Sequence, residues 1–132
     1  LHTVAADIHK GDAMSLQSVG EQLVKLCNQG KNFDVMQSLY ASNIVSVEAD
    51  GQQTSGKDAV IEKSKKWTSV NAIDSEKMDG PFFNGPNTFA VHTVFEVTPK
   101  STGKRTRLEE VGVYTVENDK IVREQFFYSG NR

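Results

Sequence analysis

Two periods divide the chain. Up to about residue 70 the apolar side chains recur every three or four positions, and beyond it they alternate. In SLQSVGEQLVKLCNQ, Leu16, Val19, Leu23, Leu26 and Cys27 share one helical face, which predicts a helix over 15–29 stopped at Gly30. Residues 32–41 predict a second helix, with Asn32 as a cap and Phe33, Met36, Leu39 and Tyr40 on one side. IVSVEA (44–49) reads as a short strand and DGQQTSG as a turn-rich loop. Residues 57–70 predict a third helix, entered through Ser55 or Gly56, with Asp58 in its first turn. Val60, Ile61, Trp67 and Val70 are its expected buried positions, and the EKSKK run (62–66) its solvated face.

The second half reads as strands. DSEKMDGPFF is weakly marked, NTFAVHTVFEVTP alternates clearly, PKSTGKR is a hairpin loop, and TRLEEVGVYTV and KIVREQFFYS close the series. On the last hairpin the odd positions are Val111, Val113, Ile121 and Phe127, and the even ones Leu108, Tyr114, Val116, Phe126 and Tyr128. Glu110 and Glu124 interrupt the even, apolar face. A three-residue loop at 117–119, with Asp119 left-handed, sets Val116 opposite Lys120, Tyr114 opposite Val122, Gly112 opposite Glu124 and Glu110 opposite Phe126. Along 87–97, Phe89, Val91, Phe95 and Val97 share one face, and His92, Val94 and Glu96 the other. Helices first and a meander of long strands afterwards predict an α+β domain with the helices on one side of a curved sheet.

Composition narrows the field. The chain has 132 residues, enough for one domain, and is 37% hydrophobic and 24% charged. A formal net charge of −2 gives no electrostatic case for nucleic acid or an anionic membrane. Cys27 is the sole cysteine and reads as a small buried hydrophobe, so no internal disulfide forms. His2, His9 and His92 are too scattered for a metal site, and no other metal-ligand spacing occurs. No apolar run approaches the ~18 residues of a membrane span, and the cytoplasm is the default compartment. Neither a G-x-S-x-G elbow nor a glycine-rich phosphate loop is present. Residues 1–14 read as a flexible leader and 15–132 as a single domain.

The stretches NQGKNFDVMQSLYASNIVSVEADGQQTSGKDAV and YTVENDKIVREQFFY resemble the nuclear transport factor 2-like superfamily, within it the SnoaL-like polyketide cyclase and ketosteroid isomerase branch. The likeness covers roughly residues 15–130. It implies a cone-shaped, cystatin-like α+β fold, with three N-terminal helices packed on a strongly curved, mostly antiparallel sheet. It implies an apolar pocket for a small hydrophobic or polycyclic molecule, no cofactor, and a homodimer through the convex face.

With the even face turned inward, that pocket would hold His92, Glu96, Glu110, Tyr114, Glu124, Phe126 and Tyr128. Trp67 is expected to line it, and Val111, Val113, Phe95 and Phe127 are expected on the dimer surface. Isomerase-type members carry a carboxylate base after the second helix, and in YASNIVSVE the matching position is Glu48. Burial raises the pKa of such a group toward neutrality and fits it to move protons. Glu48, His92, Glu110 and Glu124 are therefore the catalytic candidates, and Trp67, Glu96, Tyr114, Phe126 and Tyr128 the ligand-binding ones. The family's oxyanion donors correspond to Leu23 and Gly112, so both are missing here. Two functions stay open: cofactor-free isomerisation, cyclisation, dehydration or hydrolysis, and a non-catalytic binding or dimerisation module.

Overall fold

A computed structural model describes residues 15–130. The expected leader at 1–14 lies outside the described residues. Helix α1 (Leu16–Asn28) starts where Ser15 Oγ accepts the Ser18 N–H at 3.1 Å. It stops at Gly30, whose φ of +76° lets Gly30 N and Lys31 N turn back onto the carbonyls of Cys27 and Leu26. Helix α2 (Asn32–Leu39) follows at once and runs into strand β1 (Tyr40–Val47). Tyr40 thus opens the strand rather than closing the helix. A short β2 (Gln53–Ser55) precedes α3 (Lys57–Val70). Four long strands complete the chain: β3 (Asn71–Asn84), β4 (Thr88–Pro99), β5 (Thr106–Glu117) and β6 (Lys120–Phe127).

The strongly curved cone does not form, although four of the five strand pairs are antiparallel. The six strands make one open, mixed sheet in the order β2-β1-β6-β5-β4-β3, neither strongly curved nor closed. Its two ends, β2 and β3, do not pair with each other, so hydrogen bonding does not draw the sheet round on itself. Between its second and third strands, β1 and β6, the pairing is parallel, with Ser46 beside Glu124 and Val47 beside Gln125. The first strand and the last come together there, which a reading confined to neighbouring hairpins does not reach.

The last hairpin also differs from its expected register. Asn118 and Asp119 both take positive φ, 51° and 64°, making a two-residue loop with Glu117 paired to Lys120. A bulge follows between Thr115 and Val116 in the β5 register. Val116 therefore faces Ile121, Tyr114 faces Glu124 and Gly112 faces Phe126. The bulge also changes which side of β6 turns inward. Ile121 is fully buried before it, and Glu124 is buried after it.

The core lies between the sheet and the helices. Val19 and Leu23 of α1, Val35 and Leu39 of α2 and Val60 of α3 meet Ile44, Phe89, Val91, Tyr114 and Ile121 of the strands. Phe89 stacks on Tyr114 with ring centroids 5.0 Å apart, and Tyr114 meets the edge of Phe126 at 6.4 Å. Gly112 makes this cluster possible, because a Cβ there would stand 3.1 Å from the Tyr114 ring and 3.4 Å from Phe126. Gly112→Ala is expected to cost roughly 1 kcal/mol by crowding these rings, read as a lower urea midpoint at unchanged slope. An unchanged midpoint would mean that the rings yield freely.

Candidate functional site

Below the helices the sheet leaves a cavity of about 1010 Å³, with a second chamber of about 140 Å³ lined by many of the same residues. Its walls are built by helices rather than by closure of the sheet. Cys27 comes from α1, Phe33 and Met36 from α2, and Lys63, Ser64 and Trp67 from α3. Ile73, Phe95, Leu108 and Phe126 form the apolar part of the sheet side. The smaller chamber adds Tyr40, Tyr114 and Glu124.

Four glutamates line this space, Glu48, Glu76, Glu110 and Glu124. Glu124 is 3% exposed. Tyr40 Oη donates to its Oε1, and Ser46, its neighbour across the parallel pair, also hydrogen-bonds to it. Burial pushes the Glu124 carboxyl up, and the bonds from Tyr40 and Ser46 and the charge of Lys63 pull it part of the way back. Glu48 stands just beyond the end of β1. Its Oε2 receives Lys63 Nζ at 2.6 Å, and its Oε1 the Tyr128 hydroxyl at 2.8 Å. Lys63 also donates to Ser46 Oγ at 3.2 Å. A continuous polar chain therefore runs Tyr40–Glu124–Ser46–Lys63–Glu48–Tyr128.

Glu76 and Glu110 lie on the other side of the cavity. Phe95 and Thr93 are alternate residues on one side of β4, and Glu76 pairs with the first while Glu110 pairs with the second. Asn32 Nδ2 donates to Glu76 Oε2 at 3.3 Å. Burial raises the Glu76 pKa to about 7, opposed by the Asn32 bond and reinforced by the nearby Glu110 charge. Burial likewise pushes up the hydroxyls of Tyr40 and Tyr114, each further raised by Glu124. The Cys27 thiol is also raised, by burial first and then by Glu76 and Glu124, so it is not a thiolate nucleophile.

Of the residues singled out in the sequence, Glu48, Trp67, Glu110, Tyr114, Glu124, Phe126 and Tyr128 line one or both chambers. His92 and Glu96 line neither. On β4 the buried residues Phe89, Val91, Thr93 and Val97 are odd-numbered, so the even positions turn to the outer face. There His92 Nε2 meets Glu109 Oε2 at 2.5 Å, and Glu96 meets Arg105 at 3.4 Å. The bonds from His92 and Arg107 lower the Glu109 pKa. The same parity turns Phe95 into the cavity instead of onto the outer surface.

Sequence reasoning missed Tyr40, Lys63 and Glu76. Lys63 falls at i+3 from Val60 and i−4 from Trp67, a stripe hidden by its place in a lysine run. Glu76 shares strand parity with the buried Met78, but their strand is weakly marked.

The fold is α+β, and the lining of its cavity carries four glutamates beside the rings of Phe33, Trp67, Phe95, Phe126 and Tyr128. The chain belongs to the SnoaL-like domain family, whose profile matches residues 14–128. No curated protein matches it. Among solved structures it is similar to a Mesorhizobium loti protein provisionally assigned as a SnoaL-like polyketide cyclase. The identity is 36%, with 87% of this chain and 100% of that one covered and a TM-score of 0.82.

A provisionally assigned polyketide cyclase from Pseudomonas putida shares the fold at 14% identity, with 89% and 93% covered and a TM-score of 0.72. So does a hypothetical protein with a ketosteroid isomerase-like fold from Catenulispora acidiphila, solved with trimethylamine, at 14% identity, 81% and 82% covered and a TM-score of 0.64. Among the described residues, no helix is long and apolar enough to cross a membrane.

Proposed function

We propose that the protein binds a small, largely apolar or polycyclic molecule in this cavity and moves a proton on it without a cofactor. The observation that carries this reading is a cavity of about 1010 Å³, at the upper limit of the usual size of small-molecule sites, that is lined by Glu76 with a pKa raised to about 7. Aromatic walls supply affinity for a ring system. Glu76, whose protonated and ionised forms lie close in energy at neutral pH, supplies acid–base chemistry. Isomerisation, cyclisation, dehydration and hydrolysis all draw on those two properties. The non-catalytic alternative draws on Glu48, whose two oxygens are both occupied. The outer face exposes Phe82, Val111 and Phe127, which supports pairing with a second copy.

Trp67 is the sole tryptophan and lines the cavity, so its fluorescence reports occupancy. Neutral polycyclic phenols and ketones, naphthol first, are expected to quench it saturably in the micromolar range. Native mass spectrometry of the same preparation is expected to show a dimer. Absence of saturable quenching across the panel, with no retained small molecule in the mass spectrum, overturns the binding reading. A bare monomer overturns the pairing.

A further inference from the structure

We propose that the proton-transferring carboxyl of this cavity is Glu76 on β3, and that Lys63 and Tyr128 hold Glu48 out of that role. The inference rests on the pocket reading above and assigns the residue within it. Three of the four carboxyls, Glu48, Glu124 and Glu76, are separated by what already binds them. Glu48 has an ammonium on Oε2 at 2.6 Å and a phenol on Oε1 at 2.8 Å. A base so engaged must give up both partners before it takes a proton. Glu124 is held by Tyr40 and Ser46 and almost wholly buried, which makes it part of the floor.

Glu76 differs on each count. Its one side-chain hydrogen bond among the described residues is the long one from Asn32 to Oε2, which leaves Oε1 for a ligand. It lines both chambers, so a molecule resting against Phe95 and Phe126 lies along its reach. No Lys, Arg or His of the described residues comes within ion-pair distance of it. The titratable groups facing it are Glu110 and Tyr114 from β5 and Cys27 from α1, all neutral or negative. Lys63, from α3, is held at Glu48. A carboxylate in apolar surroundings with no cation beside it is a stronger base than the same group in water, and its pKa raised to about 7 agrees with that placement.

The test needs no knowledge of the natural substrate. Nitrobenzisoxazole is a flat, apolar molecule that opens when a base removes its ring C–H proton. The carboxylate takes that proton, the C–H electron pair forms the nitrile, and the N–O bond breaks to release a coloured cyanophenolate. The wild-type protein is expected to catalyse this opening with kcat/KM rising with pH through about 7. Glu76→Gln is expected to lower kcat/KM about 100-fold and to remove that inflection. Glu76→Asp is expected to restore part of the rate, and Glu48→Gln to lower it far less than Glu76→Gln.

Trp67 quenching by nitrobenzisoxazole measures binding separately. Binding with a rate that Glu48→Gln lowers more than Glu76→Gln overturns the assignment and leaves the pocket reading standing. Binding without turnover does the same. Neither binding nor turnover overturns both.

Discussion

At pH 8, Glu76→Gln is expected to be more stable than the wild-type protein by roughly 3 kcal/mol, whereas at pH 4 the two are expected to be nearly equal. The size follows from a pKa raised from 4.5 to about 7, at about 1.4 kcal/mol per unit. The sign follows from proton linkage. The folded chain binds this proton more tightly than the unfolded chain does. The group's favourable contribution is therefore complete below about 4.5 and is lost as the pH rises through about 7. Glutamine keeps the shape and cannot ionise, so it escapes the loss. Urea unfolding of both proteins across this range reads the difference directly. A gap that fails to widen between pH 5 and pH 8 would mean that Glu76 is solvated when ionised, and its status as a base would go with it.

Tyr40→Phe is the second large effect, expected to cost about 2 kcal/mol. The phenol is buried and donates to a carboxyl that is buried too. Removing one partner leaves the other to bear its desolvation, for which about 1–3 kcal/mol is usual. Ser46 remains hydrogen-bonded to Glu124, which keeps the loss from being larger. Adding Glu124→Gln to Tyr40→Phe is expected to cost less than it does in the wild-type background. A double-mutant cycle measures that coupling. Purely additive losses would show that the Tyr40–Glu124 contact has no energetic weight.

Much of the fold was legible because it is local. The stripe of Leu16, Val19, Leu23, Leu26 and Cys27 marks α1, and alternation from Phe89 to Val97 marks β4. Register was less legible. Asn118 and Asp119 both accept positive φ, yet the sequence does not choose between two and three loop residues, and the bulge beyond them changes the side. His92 went astray for a related reason. Both faces of β4 carry apolar residues, so alternation alone leaves its inward side undecided. The mixed sheet was not legible, because pairing β1 with β6 is a fact about residues some eighty positions apart. The candidate site followed the same division. Glu110 and Glu124 stand out as carboxylates on an apolar face, whereas Lys63 and Glu76 take their places only once α3 and β3 are set against the sheet.

The parallel seam between β1 and β6 orders events in time. Tyr40 waits for Glu124, 84 residues later, and Glu48 waits for Tyr128, 80 residues later. On a ribosome, the helices and the β3–β4–β5 meander emerge before either partner exists. β1 must wait with an unpaired edge until β6 arrives. Closing so long a loop is slow compared with forming neighbouring hairpins. The carboxyl floor is therefore completed only once β6 and Tyr128 have been made, and a nascent chain stopped before residue 120 has walls without a floor.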